Sequence, residues 1–207
     1  MKIGLNLVGK SYVPNERRDW TVSIDNIKKS IIDVYNSEHS VSVYMCTYET
    51  ETTNQLIEQY NPVKTTLLDF SNSEQRLTYI KSLKELLNED LDIIISTRFD
   101  IFFYKPFSEL NIDFTKVNFL FREGHWWDSH KFTTDNIFII PKQFLPQFIE
   151  SIQDAYDKPV RNCPDLHPVY SFLLPKIGEE NIHIISNEQH YLSHANDLYT
   201  LTRHKMP

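Results

Sequence analysis

Hydrophobic and polar positions follow two different periods in the first half of the chain. Short apolar runs at residues 2–8, 40–47 and 63–70 have the length and the β-branched content of strands. Between these runs, apolar residues recur every three to four positions, as on one face of a helix. Strands that alternate with helices predict a parallel sheet with right-handed crossovers. The helical stripes are Ile24, Ile27, Ile31 and Val34 in one segment and Leu77, Ile80, Leu83 and Leu87 in another, with a shorter helix at 52–60 between them.

The most apolar strand is predicted within residues 91–103, where Ile93, Ile94 and Ile95 form an unbroken run. Such a run is typical of a central strand that is covered on both faces. It leads into Arg98-Phe99-Asp100, which places Asp100 near the carboxyl edge of the sheet, where ligands bind in open α/β sheets. A carboxylate there is suited to a ligand or a divalent cation. The alternative is that Asp100 caps the next turn or pairs with Arg98.

The rhythm changes in the second half of the chain. Residues 117–122 and 136–141 are predicted to be two strands, joined by an aromatic, charged segment without a helical pattern. This arrangement favours an antiparallel addition to the sheet. An amphipathic helix at 143–155, a helical segment at 166–174 and a closing strand at 182–186 follow. Because no repeat or linker interrupts this order, we expect residues 1–207 to form one α/β domain.

Composition excludes several classes of protein. The formal charge of -7 and the scattered basic residues argue against a nucleic-acid-binding surface. The four glycines are too few for the phosphate loops of Rossmann dehydrogenases and P-loop NTPases, and the two cysteines, Cys46 and Cys163, indicate neither a zinc cage nor a disulfide framework. The sequence has no apolar stretch of membrane-spanning length and no secretion signal. We therefore expect a cytoplasmic protein without a membrane span.

The order of elements, with an apolar strand that ends in an acidic triplet, resembles the nucleotide-sugar half of GT-A-type glycosyltransferases. The resemblance is sharpest over residues 75–103, and in detail it is to small viral and bacterial glycosyltransferase domains, including those of chlorella-infecting viruses. It implies a Rossmann-like, mainly parallel sheet flanked by helices, with residues 1–105 as the nucleotide-sugar-binding half and 106–207 as the acceptor-binding half. It also implies hexosyl or deoxyhexosyl transfer from a nucleoside-diphosphate donor, UDP-linked in our expectation, to a glycan or protein-glycan acceptor.

The resemblance bears on metal binding as well. In that family an Asp-x-Asp motif holds Mg or Mn on the donor diphosphate, and Arg98-Phe99-Asp100 matches only its last position. The family pattern implies Asp100 as a metal ligand and His194 as a second, because a late histidine often returns to the metal in GT-A-like enzymes. Arg98 can instead pair directly with a phosphate, since guanidinium and phosphate match bidentately. Metal dependence is therefore left open.

For the donor nucleotide, the resemblance points to the ends of the first two strands and to the third helix. Arg76 is expected either to reach the diphosphate or to face solvent, and the basic residues of the first loop carry the same two alternatives, with a solvated loop favoured. The strand-end positions are Leu7, Val8, Gly9 and Thr47, and the loop residues are Lys10, Arg17 and Arg18.

Two adjacent tryptophans mark the acceptor side of the chain. Trp126 and Trp127 lie in a polar loop, and an indole face suits the apolar face of a sugar ring. We assign Trp127 to the nucleotide-sugar-binding residues and expect one of the two rings to be core and the other to contact the ligand. The alternative is that neither ring touches a ligand. Asp128 or Asp135 is the candidate base that accepts the proton of an acceptor hydroxyl, as in an inverting enzyme. The alternatives are a solvated loop residue for Asp128 and a turn-forming residue for Asp135.

Two other functions remain open from the sequence. A nucleotidyltransferase also needs an acid-held metal at a strand end, but it normally has a glycine- and lysine-rich opening loop, which is lacking here. A sugar- or nucleotide-binding module without turnover fits the replacement of the first acid by Arg98. If the protein is viral, we expect it in the host cytoplasm. The chain is also compatible with being part of a larger multidomain polypeptide.

Overall fold

The computed structural model describes residues 1–13, 18–69, 75–158, 160, 166–186, 188–190 and 196–202. Over these residues, no helix is long and apolar enough to cross a membrane. The strands are β1 (Lys2–Val8), β2 (Tyr12–Val13), β3 (Arg18–Asp19), β4 (Ser40–Tyr48), β5 (Lys64–Leu68), β6 (Ile93–Arg98), β7 (Ile101–Phe103), β8 (Val117–Phe119), β9 (Arg122–Glu123), β10 (Ile137–Pro141), β11 (Ile182–Ile184), β12 (Gln189–His190) and β13 (Tyr199–Leu201). The helices are α1 (Trp20–Ile27), α2 (Asp33–Asn36), α3 (Thr53–Tyr60), α4 (Gln75–Leu86), α5 (Trp127–His130), α6 (Leu145–Asp157) and α7 (Val169–Ile177), and a π-helical turn, Lys28–Ile32, joins α1 to α2.

A seven-stranded sheet in the order β11-β8-β10-β6-β1-β4-β5 forms the centre of the molecule. The strands β6, β1, β4 and β5 are mutually parallel, which confirms the parallel sheet predicted for the first half. The strand β10 runs antiparallel to both β6 and β8, which confirms the predicted antiparallel addition. Because the start of an antiparallel strand lies beside the end of its neighbour, residues just before β10 reach the carboxyl edge of β6.

Helices cover both faces of this sheet. Alternate residues of β1, such as Ile3 and Leu5, join a core cluster with α1 and α3. On the other face, Ile94 of β6 joins α4, α6 and α7 in a second cluster. Central strands that are buried on both sides explain the unbroken apolar run in β6.

The central apolar strand predicted within residues 91–103 is confirmed as β6, but it is shorter than that range because the chain leaves the sheet after Arg98. A turn at Phe99 and Asp100 separates β6 from β7, and β7 pairs with β13 outside the main sheet. Two hydrogen bonds from Arg98 to Asp100 close this turn. The segment between β8 and β10 also differs from the prediction, since it contains the one-turn helix α5. Four residues are too few to give a helical period in the sequence.

The buried face of α4 is rotated from the predicted leucine stripe. Leu77 and Leu87 are 37% and 38% exposed, whereas Tyr79 and Leu83 are fully buried. The ring of Tyr79 packs edge-on against Phe138 of β10, with 5.7 Å between the ring centroids. This aromatic contact turns the helix so that Tyr79 faces the sheet.

Candidate functional site

A cavity of about 170 Å³ opens at the carboxyl edge of the sheet, where β1, β4 and β6 end. This is the edge at which the alternation of strands and helices predicted a ligand site. Four of its lining residues carry a charge at neutral pH and four are uncharged. The lining consists of Val8, Gly9, Lys10, Arg18, Tyr48, Tyr79, Arg98 and Asp100.

Gly9 turns the chain out of β1 at the rim of the cavity. Its φ is +95°, a backbone conformation that L side chains rarely adopt. Its N–H donates to the carbonyl of Cys46 at 3.1 Å, which ties the end of β1 to β4. Beyond it, the hydroxyl of Thr47 donates to that of Ser11 at 3.1 Å. These contacts hold the loop that carries Lys10 against the end of β4.

Arg98 and Asp100 form a buried bidentate ion pair at the base of the cavity. The Nε–H of Arg98 donates to Oδ1 of Asp100 at 2.7 Å, and an N–H of Nη2 donates to Oδ2 at 2.9 Å. The side chains are 8% and 1% exposed. Burial alone would lower the pKa of the guanidinium, but the charge and hydrogen bonds of Asp100 and the charge of Asp135 together raise it. Arg98 is therefore a permanent cation here.

The cavity lining is positively charged, although the chain as a whole is acidic. Lys10, Arg18 and Arg98 contribute three cations and Asp100 one carboxylate, a formal excess of two positive charges. In a chain of formal charge -7, this concentration indicates an anionic ligand. Two arginines also supply the planar donor geometry that suits phosphate oxygens.

The antiparallel direction of β10 brings Asp135 to this edge. The Ile137 position pairs with Thr97, and the hydroxyl of Thr97 donates to the carbonyl of Asn136 at 3.1 Å. Asp135 is 6% exposed, and its carbonyl accepts a 3.5 Å hydrogen bond from the hydroxyl of Tyr79, a cavity residue. The carboxylate of Asp135 thus lies in the same charged neighbourhood as Arg98.

His167 lies next to Asp135, and sequence reasoning did not find it. Its Nδ1–H donates to the carbonyl of Thr133 at 2.7 Å, and the N–H of Thr133 donates to the carbonyl of His167 at 3.2 Å. This reciprocal pair directs Nε2 toward Oδ1 of Asp135, 3.8 Å away. Tyr48 and Tyr79 were also missed as cavity residues. No pattern in the sequence distinguishes these three residues from ordinary core positions.

The two tryptophans have different surroundings. Trp127 is half-buried, with Arg122 and Lys131 each 5.0 Å from its ring centroid and Tyr170 packed at 5.2 Å. Trp126 is 39% exposed. One ring is therefore largely packed and the other is open, as expected, but Trp127, which we assigned to the sugar, is the packed one.

Glu123, three residues before Trp126, is a buried residue at the end of β9. Burial raises the pKa of its carboxyl group, and the charges of His167 and His125 partly oppose that rise. Among the described residues, its Oε2 atom has no hydrogen-bond partner. Burial therefore makes the carboxyl group of Glu123 harder to ionise than that of an exposed glutamate.

The remaining predicted site residues lie in several places. Val8 and Gly9 line the cavity, Leu7 is in the core, and Thr47 is buried at the end of β4. Of the other three, the described residues Arg76 and Asp128 do not line the cavity. Arg76 of α4 packs against α6, where it stacks on Tyr156 at 4.7 Å and an Nη1–H donates to the carbonyl of Ala155 at 3.4 Å. Asp128 is exposed on α5, and His194 lies outside the described residues.

The described residues do not fit a divalent-cation site. Both carboxylate oxygens of Asp100 accept hydrogen bonds from Arg98, so the predicted ligand already has a cationic partner. Within the described part of the chain, no three His, Cys, Asp or Glu side chains lie close enough together to hold a metal ion. Mg²⁺ and Mn²⁺ prefer several oxygen ligands, and the described residues of this edge do not group such ligands together.

Comparison with known proteins supports the fold. No protein-family model matches the chain, and no curated protein matches its sequence. Among solved structures, the apo form of mouse xyloside xylosyltransferase 1 matches with a TM-score of 0.55 over 89% of this chain and 85% of that one, at 7% sequence identity. The chain has a GT-A-like fold.

This GT-A-like fold explains the position of the cavity, which lies where the ends of the parallel strands meet. At 7% identity the likeness shows the fold alone. The assignments of donor, acceptor and metal rest on the site of this chain. The closer resemblance to viral and bacterial domains stays a prediction.

Proposed function

We propose that the chain is a glycosyltransferase that moves a sugar from a nucleoside-diphosphate donor, UDP-linked in our expectation, to a glycan acceptor. The observation that carries the proposal is the cationic cavity at the carboxyl edge of a GT-A-like sheet. Lys10, Arg18 and Arg98 supply the positive charge that a diphosphate requires. The strand ends at Val8 and Thr47 supply main-chain groups for the nucleobase of the donor.

The reaction that we propose is a displacement at the anomeric carbon. The acceptor oxygen forms a bond to that carbon while the bond from the carbon to the diphosphate oxygen breaks. The leaving nucleotide keeps the bonding electron pair, and the cations of the cavity stabilise the charge that develops on it. Asp135 accepts the acceptor proton, because it is the predicted base that lies beside the cavity residues Tyr79 and Arg98.

A second candidate is a sugar- or nucleotide-binding module without turnover. It is supported by the buried Arg98–Asp100 pair, which leaves the predicted metal ligand engaged. The transferase and a nucleotide-binding module both predict nucleotide binding and differ in whether the sugar is released, whereas a module that binds only sugar predicts no nucleotide binding.

Donor hydrolysis tests the two candidates, since a transferase slowly passes its sugar to water. The wild-type protein is incubated with UDP-glucose, UDP-galactose, UDP-xylose and UDP-N-acetylglucosamine, with and without MnCl2, and released UDP is measured. The control is Asp135→Asn under the same conditions. We expect the wild-type protein to release UDP slowly from at least one donor, and we expect the rate of this release to be lower in the variant.

Binding of UDP without hydrolysis of any donor would favour the binding module. A protein that binds neither UDP nor any of ADP, GDP, CDP and dTDP would refute the transferase and the nucleotide-binding module, and would leave a module that binds sugar alone.

A further inference from the structure

We infer that Arg98, oriented by Asp100, binds the donor diphosphate directly, so that binding requires no divalent cation. This inference rests on the proposed function and assigns the role of the cation within the same site. Arg98 is then a binding residue, and Asp100 is a positioning residue that acts through Arg98.

The hydrogen bonds of Arg98 leave donors for a phosphate. A guanidinium carries five N–H groups, and those on one side, Nε–H and one of Nη2, are directed to Asp100. Among the described residues, its other N–H groups have no hydrogen-bond partner, and the side chain lines the cavity. Asp100 thus holds one side of the guanidinium, and the N–H groups on its other side are the donors that we assign to the ligand.

The backbone around the pair is fixed from two directions. The hydroxyl of Ser23 in α1 donates to the carbonyl of Phe99, and the N–H of Thr202 donates to the carbonyl of Asp100 at 2.8 Å. A turn held in this way keeps the guanidinium in place before a ligand arrives. Preorganisation of this kind reduces the entropy lost on binding.

Metal binding by Asp100 would require this arrangement to break. Its carboxylate is 1% exposed and both of its oxygens are engaged, so a cation would have to displace a guanidinium that would then remain buried. Lys10 and Arg18, which line the same cavity, raise the electrostatic cost of bringing in a further cation. A phosphate, by contrast, is attracted by all three cations.

Calorimetric titration with UDP, uridine and pyrophosphate tests the inference. Wild-type protein is compared in EDTA and in MnCl2 with the double variant Arg98→Gln/Asp100→Asn. Replacing both members removes the cation without leaving a buried unpaired charge, which favours folding. We expect equal UDP affinity of the wild-type protein in EDTA and MnCl2, and a loss of about 10- to 100-fold in the double variant.

Uridine affinity should be unchanged in the double variant, because uridine has no phosphate, whereas pyrophosphate affinity should fall with that of UDP. A merely structural role would lower the affinity for all three probes. The matched control is Lys2→Gln/Asp90→Asn, which neutralises an exposed ion pair at the opposite edge of the sheet. It should leave all three affinities within twofold of the wild type.

The single variant Asp100→Asn separates direct binding from metal binding. We expect it to retain UDP binding within about 10-fold in EDTA, since Arg98 remains. UDP binding that requires Mn and is lost in Asp100→Asn would overturn the inference and leave the proposed function standing. Failure of UDP and every other nucleoside diphosphate to bind would instead remove the proposed function itself.

Discussion

Asp135 reaches the carboxyl edge of the sheet because β10 runs opposite to its neighbours. Asp128, the other candidate base, is exposed on the one-turn helix α5. Asp135 is buried, and His167 lies 3.8 Å from its Oδ1 atom. At the scale of single residues, the structure therefore distinguishes two aspartates that the sequence left equivalent.

Substitution of these two aspartates by asparagine tests the assignment. Asp135→Asn keeps the shape of the side chain and removes its basicity, so we expect kcat to fall by about 10²- to 10⁴-fold. The affinity for UDP should change little, since the base acts on the acceptor. Asp128→Asn serves as the matched variant and should keep kcat within a few-fold. Steady-state kinetics with an identified donor measures both.

A large loss of kcat in Asp128→Asn with full activity in Asp135→Asn would identify Asp128 on α5 as the base instead.

The sequence located part of this site. Val8 and Arg98 end apolar strands, and Gly9 and Asp100 follow them. The ends of parallel strands meet at one edge, so the approach of these four residues was predictable. His167 was not predictable, because it follows a segment without a strong period and reaches Asp135 through its hydrogen bonds with Thr133. Contacts between segments that are distant in sequence leave no local pattern.

At the scale of elements, the orientation of α4 shows that one aromatic contact can outweigh the leucine pattern of a helix. The spacing of its leucines predicted a face that includes Leu77, yet Leu77 is 37% exposed and Tyr79 is buried against Phe138. The leucine pattern identified the helix correctly and its orientation only in part. Burial of an aromatic ring outweighs exposure of one leucine because its apolar area is larger.

Two leucine-to-alanine substitutions in α4 test this orientation. Leu83 is fully buried, so Leu83→Ala should lower the free energy of unfolding by about 2 to 5 kcal/mol. Leu77→Ala makes the same chemical change on the same helix and should lower it by less than about 1 kcal/mol. Urea denaturation followed by circular dichroism measures both. Equal losses would mean that the helix presents the predicted stripe to the sheet.

At the scale of the whole molecule, burial shifts the ionisation of several thiol and phenol groups to a more alkaline pH. Burial raises the pKa of Cys46, Tyr35 and Tyr199 to about 12. The ordinary values are 9.0 for the thiol and 10.0 for each phenol. Above these values the unfolded chain loses protons that the native protein retains, so stability falls as the pH rises.

We expect the free energy of unfolding to fall by up to about 1.4 kcal/mol per pH unit for each such group, from pH 9 for the thiol and from pH 10 for the phenols up to pH 12. Cys46, which is fully buried, should begin to contribute first, from about pH 9. Urea denaturation at pH 8, 9, 10 and 11 measures the slope. In Cys46→Ala the slope between pH 9 and 10 should be shallower than in the wild type. A free energy of unfolding that stays constant up to pH 11 would contradict the shifted values.

The central position of β1 has a consequence for synthesis on the ribosome. Ile3 pairs with Ile93, and the amide of Asn6 donates to the hydroxyl of Ser96 at 2.9 Å, although 90 residues separate the last two positions. At about 5 to 20 residues per second, roughly 5 to 18 s pass between translation of the two strands. During that time β1 lacks its partner β6, so one edge of an apolar strand is unpaired. Arg98, which lines the ligand cavity, is translated only at the end of this interval.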